Sequence, residues 1–206
     1  MKNGIIYTVF KFLIEILKYF SIVEWFKKLV IWIFADKNEI LSIVKYSRIA
    51  VDFFIIAKWI LIILIMQYSI TNQFLTILVW YLIYSNLYTY FYYHIWVKES
   101  LNPDNYTIDR VRRRFLTLML SIGFSNLCFA YLVRLPYFQD FVWSNASPTN
   151  LKSIWFSFAN SLTAQYEYVL PNTKNGLDMT ITQLIISFVF LTIILGKSIP
   201  QTSSTN

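Results

Sequence analysis

Four predominantly apolar runs, approximately Ile49–Gln67, Phe74–Trp96, Phe115–Leu135 and Thr180–Gly196, constrain this chain more than any other feature. Each is near the length of about 20 residues that a helix needs to cross a bilayer. The composition agrees: 57% of residues are hydrophobic and only 14% are charged, against about 25% charged in a soluble domain. The expected class is therefore an all-α integral membrane protein with four transmembrane helices. A net charge of +7 would suit nucleic acid in a soluble chain, so the placement of the charges has to decide. Fourteen of the 18 Lys and Arg residues lie before the first run, between the second and third, or after the fourth. By the excess of basic residues in cytoplasmic segments, these three segments share the cytoplasmic side of a plasma or inner membrane. Both termini are then cytoplasmic, and no nucleic-acid partner is expected.

Residues 1–48 precede the spans and carry Lys11, Glu15 and Lys18 at helical spacing among Phe, Ile and Leu. This pattern predicts amphipathic helices that either lie on the membrane surface or pack beneath the spans. Ser21-Ile22-Val23-Glu24 has the form of a capping box and starts a second helix. Asp36-Lys37-Asn38-Glu39 starts a third, short one. Residues 49–97 form a two-helix hairpin. Its first helix holds two intramembrane charges, Asp52 and Lys58. Asp52 follows Arg48 by one turn, which suits an ion pair. Lys58 points elsewhere, either as a functional group or as a snorkelling or structurally paired lysine. His94 lies in the aromatic end of the second span, where an interfacial filler or a pH-sensing role fits. Lone Cys128 reads as a core residue within a span.

Residues 98–114 form a polar loop ending in Arg110, Arg112, Arg113 and Arg114. Arginine does not recur every third residue into the following span, so this is no voltage sensor. The cluster suits an anchor to anionic lipid headgroups or an intersubunit salt-bridge group. No nucleophile–base pair, metal cluster or phosphate-binding glycine loop is present in the sequence, which has four scattered glycines. Neither an enzyme nor a cofactor is expected. The tail, residues 197–206, is polar.

Between the last two spans lies S-I-W-F-S-F-A-N-S-L-T-A-Q-Y-E-Y-V-L-P-N-T, from Ser153 to Thr173. Its first part is apolar and aromatic but too short to cross, and it turns polar at Asn160. That pattern predicts a re-entrant loop, tolerated at membrane depth only where protein or water covers it. The stretch resembles the pore loop of the potassium-channel pore module, whose order is outer helix, pore helix, T-V-G-Y-G-D filter and inner helix. Thr163-Ala164-Gln165-Tyr166-Glu167-Tyr168 falls in the filter register, and Pro171 and Thr173 match the family's proline and threonine. The resemblance covers about residues 115–196.

The resemblance implies a homo-oligomer, a tetramer, with one pore loop per chain around an axis that cations cross. Thr163, Ala164, Gln165, Tyr166 and Glu167 would line or support the ion pathway, with Glu167 forming a carboxylate ring. Both filter glycines are replaced, by Gln165 and Glu167. Glycine makes the positive φ values of a carbonyl cage cheap and other residues do not, so poor potassium selectivity is expected. The alternative is a non-conducting membrane subunit or scaffold that keeps the pore-module fold.

Overall fold

This computed structural model describes residues 4–36, 39–96, 108–144 and 148–198. The chain forms two compact units, residues 1–63 and 64–206. Most of the Lys98–Arg114 loop and the tail beyond residue 198 lie outside the described residues.

The first unit begins with α1 (Ile5–Tyr19) and α2 (Ile22–Phe34). Ser21 precedes α2 in extended conformation, but its side chain makes no capping hydrogen bond. Glu24 instead accepts from Lys27 Nζ at 2.9 Å, so the expected capping box does not form. Trp25 Nε1 donates to the Tyr19 carbonyl at 2.9 Å, fastening α2 to the end of α1. Phe26 packs against Phe53 and Phe54, with ring centroids 5.9 and 6.1 Å apart. Those two rings belong to α3 (Ile40–Gln67). The expected short third helix is therefore continuous with the first span. Nothing between Ile40 and Gln67 is Gly or Pro, so nothing stops the helix. Its 28 residues run about 42 Å, longer than the hydrocarbon core of about 30 Å. Along α3 Asp52 is exposed and Lys58 is buried.

In the second unit α3 ends at a turn in which Ser69 adopts φ 50°. Ile70 N–H bonds to Ile65 O at 3.0 Å and Ser69 N–H to Met66 O at 3.3 Å. This is a Schellman ending built on serine instead of glycine. Asn72 then caps α4 (Gln73–Phe91) by accepting from Leu75 N–H at 2.7 Å. A π-helical turn, Tyr92–Trp96, extends it.

The third span is α5 (Ile108–Arg134). The arginine cluster expected in a loop thus lies on the first turns of this helix. Arg112 is exposed, and Arg113 and Arg114 are half-buried. The fourth span is α7 (Lys174–Ser198). Among the described residues, four helices are long and apolar enough to cross a membrane: Ile40–Gln67, Gln73–Phe91, Arg112–Arg134 and Lys174–Ile193. The protein is accordingly an integral membrane protein in its architecture.

Helix α5 is the centre of this unit. It packs against α4, α7 and a shorter helix, α6 (Asn150–Ser161). Phe124, Cys128, Phe129 and Tyr131 are fully buried along it. At one end Tyr90, Leu118 and Phe190 join α4, α5 and α7 in an apolar cluster. Asn86 Nδ2 donates to the Ser121 carbonyl at 2.9 Å, and Ser121 Oγ returns a bond to Asn86 Oδ1. Two short strands complete the unit: β1 (Phe141–Trp143) and β2 (Val169–Pro171) pair antiparallel, Val142 opposite Leu170. The purely helical expectation did not include this ribbon.

The start of α7 is held to residue 140. Asp140 O accepts from Asn172 N–H at 2.8 Å, and Asp140 Oδ1 accepts from Thr173 Oγ1. Thr173 Oγ1 accepts from Gly176 N–H at 3.2 Å, satisfying one of the open donors of the first turn. A Cβ on Gly176 would stand 2.4 Å from the Asp140 carbonyl oxygen, a backbone atom. Alanine is the better helix former by about 1 kcal/mol. We expect Gly176→Ala nevertheless to destabilise the protein by about 1–3 kcal/mol, the usual cost of overpacking, as a lower midpoint of thermal unfolding in detergent.

Candidate functional site

Residues 135–173 leave the end of α5 and return to the start of α7. Helix α6 is their central element. Thr149 caps it, its side chain accepting from Lys152 N–H at 3.3 Å. Ser153, Phe156, Ser157 and Asn160 form its buried stripe, at spacings of three and four residues. Leu151, Trp155, Phe158 and Leu162 form the exposed one. Apart from Phe156, whose ring packs on that of Phe141, the usual arrangement is reversed: small and polar groups face the protein, and large apolar ones face outward.

Its first turn is fastened to the end of α5. Arg134 Nη1 donates to Asn150 Oδ1 and, at 3.1 Å, to the Met66 carbonyl; Nη2 reaches Ser69 Oγ at 3.0 Å. Asn150 Nδ2 donates to the same Met66 carbonyl at 3.2 Å. One guanidinium thereby joins the α3–α4 turn, α5 and α6.

The other end of α6 is held by a buried polar cluster. Gln183 Nε2, from α7, lies 2.8 Å from Ser157 O, 2.6 Å from Ser157 Oγ and 3.2 Å from Asn126 Oδ1. Gln183 Oε1 accepts from Asn160 Nδ2 at 3.0 Å, and Asn160 Nδ2 also reaches Thr180 O at 3.1 Å. Ser157 Oγ donates to Asn126 O at 2.7 Å. Asn126 is eight residues from the end of α5, and Gln183 is nine from the start of α7. At the helical rise these offsets are about 12 and 13 Å. The C-terminal end of α6 is thus held well inside the helical layer, while its first turn stays near the end of α5.

The segment after α6 begins with another Schellman ending. Ala164 N–H bonds to Ala159 O at 2.8 Å and Thr163 N–H to Asn160 O at 3.0 Å. The left-handed residue is Thr163, φ 59°, a conformation that a β-branched side chain strongly disfavours. Thr163 Oγ1 donates to the adjacent Leu162 carbonyl at 2.6 Å. Thr163, Ala164, Gln165 and Glu167 are exposed, and Tyr166 is half-buried with its ring 5.4 Å from that of Tyr168.

A carbonyl cage needs free carbonyls, and here several in the filter register are engaged. Tyr166 O accepts from Val169 N–H at 3.3 Å, closing a turn. Tyr168 O accepts from Ser144 N–H at 3.0 Å and Glu167 O from Ser144 Oγ at 3.4 Å. The chain then runs straight into β2. What this segment offers to a ligand includes exposed side chains, above all the Gln165 amide and the Glu167 carboxylate.

The remaining candidates lie apart from this segment in the chain. Arg112, Arg113 and Arg114 stand at the far end of α5 from Arg134, and the side chain of Arg110 lies outside the described residues. Asp52 and Lys58 belong to the first unit. Sequence reasoning singled out charged residues within spans and passed over the uncharged ones. Asn126 and Gln183, polar interruptions of otherwise apolar helices, were the available signal, together with the i, i+4, i+7 spacing of Ser153, Ser157 and Asn160. No family model, curated protein or solved structure matches the chain.

Two substitutions separate the cluster from the exposed segment. Gln183→Leu orphans the Asn126 side-chain carbonyl and leaves the Asn160 amide with the Thr180 carbonyl alone, and a buried group so orphaned costs about 1–3 kcal/mol. We expect a loss in that range by chemical denaturation, against less than about 0.5 kcal/mol for Gln165→Leu at an exposed position. Thr163→Gly relieves the left-handed backbone and should raise stability by about 1 kcal/mol.

Proposed function

We propose that this protein is an oligomeric cation channel whose residues 150–171 form a re-entrant pore loop. The observation that carries the reading is the depth of α6. Its first turn is held by Arg134 at the end of one candidate span. Its last turn is held by Asn126 and Gln183 about 12–13 Å along the flanking spans, close to half the hydrocarbon thickness of about 30 Å. The chain then returns to β1 and the start of α7. A loop that enters and leaves on one face in this way carries exposed polar residues at its inner turn.

The unpaired faces support an oligomer. On α6 Leu151, Trp155, Phe158 and Leu162 are exposed, and on α7 so are Leu177, Ile181, Ile185 and Phe188. In a symmetric ring, taken as a tetramer from the resemblance to potassium channels, neighbouring copies or lipid cover these stripes. Thr163, Ala164 and Gln165 then approach the axis, Tyr166 packs beside them, and Glu167 contributes to a carboxylate ring, which favours cations over anions. With the Tyr166, Glu167 and Tyr168 carbonyls hydrogen-bonded and Gln165 and Glu167 standing where the resembling filter has glycine, selection rests mainly on side chains, and discrimination among monovalent cations is weak.

In the same reading both termini are cytoplasmic, in a plasma or inner membrane. The N-terminal helices α1 and α2 lie along the inner surface, and Arg110, Arg112, Arg113 and Arg114 meet anionic headgroups. The engaged carbonyls and the lost filter glycines also favour a second reading, a non-conducting subunit that keeps the pore-loop architecture.

Ion flux through purified protein in liposomes separates the two. We expect cation flux in excess of anion flux from the wild type. Glu167→Gln should reduce it about fivefold, the effect of removing one interaction of about 1 kcal/mol. Flux that ignores the substitution places the pathway elsewhere. A folded oligomer without flux supports the non-conducting subunit.

A further inference from the structure

The first unit contains a cleft of about 410 Å³ between α2 and the beginning of α3. Three cations line it: Lys27, Lys28 and Arg48. Glu24, on the same wall, is hydrogen-bonded to Lys27 at 2.9 Å, so that pair largely neutralises itself. Lys28 and Arg48 are exposed and leave the cleft with a net positive charge. Lys28 Nζ also sits 5.7 Å over the ring of Trp25, which lies outside the lining of the cleft. Between the cations the lining is apolar, from Ile31, Ile43 and Val44.

This combination selects a ligand class. The guanidinium and ammonium groups favour a phosphate. A soluble phosphate has no use for the aliphatic floor. A lipid phosphodiester does, because its glycerol and upper acyl carbons lie directly beneath the charge. The cleft also lies beside a candidate span: Ile43 and Val44 belong to the same helix, Ile40–Gln67, and precede its apolar run by less than two turns. We infer that this cleft binds one anionic glycerophospholipid, its phosphate between Lys28 and Arg48 and its upper chain against Ile31, Ile43 and Val44. The site is separate in the chain from the Arg110–Arg114 cluster and does not depend on whether the protein conducts ions.

Native mass spectrometry of the full-length protein, titrated with dioleoyl phosphatidylglycerol or dioleoyl phosphatidylcholine, tests the assignment. Wild type should retain one phosphatidylglycerol at concentrations that leave phosphatidylcholine unbound. Each cation near a membrane surface contributes about 1 kcal/mol, so Lys28→Gln with Arg48→Gln should weaken that binding roughly 30-fold. Lys11→Gln, on exposed α1, should leave it unchanged. Val44→Trp keeps both charges and fills the floor, and should also weaken binding. That variant and the comparison of the two lipids on wild type decide the matter if the double variant fails to fold. Equal retention of both lipids, or undiminished binding by the folded double variant, overturns the proposal. Displacement by millimolar inorganic phosphate alone overturns the assignment to a lipid.

Discussion

The Gln183 carboxamide is the interaction on which the second unit depends. An amide placed along an apolar helix must be hydrogen-bonded, because a buried polar group without a partner costs several kcal/mol in an environment without water. Gln183 meets that demand from α5 and α6 together, through Asn126, Ser157 and Asn160. It therefore fixes where the last turn of α6 sits along both neighbouring helices. Apolar packing alone would define that depth poorly, since one aliphatic surface slides on another at little cost. The polar stripe of α6 and its outward apolar stripe are the two halves of one arrangement.

The exposed segment after α6 inherits its conformation from this anchoring. Its chain reverses at Thr163 in a left-handed conformation usually given to glycine, and it re-enters hydrogen bonding at Tyr166. Strain held by surrounding structure is commonly found at functional sites. The engaged carbonyls change the physical basis of any selectivity. A ring of fixed carbonyl dipoles replaces an ion's hydration shell, whereas a ring of flexible carboxylates acts through charge on a hydrated ion. In the proposed pore loop the side chains of Gln165 and Glu167 would act by the second mechanism.

The spans were legible because about 20 apolar residues in a row have few alternatives, and α6 was legible from an apolar run too short to cross. The limits of α3 were not, since Asp36–Glu39 reads as a helix start without showing that the helix continues for 28 residues. The Ser-x-x-Glu pattern located the start of α2 at Ser21 but not its bonding, since Ser21 makes no side-chain cap and Glu24 bonds to Lys27. Both Schellman endings escaped notice for a related reason: Ser69 and Thr163 occupy positions where glycine is the recognisable signal. The β1–β2 ribbon and the Asn126–Gln183 contact pair residues 28 and 57 positions apart. Such pairing is a property of the folded chain, and local periodicity does not encode it.

The central claim is that residues 150–171 enter the membrane and leave it on the same face. Single cysteines introduced in turn as Ser144→Cys, Glu167→Cys and Lys11→Cys, each in a Cys128→Ser background, test it with a membrane-impermeant thiol reagent on oriented vesicles. The account predicts that positions 144 and 167 label from one face and position 11 from the other. Labelling of 144 and 167 from opposite faces would make α6 a crossing segment and contradict the account.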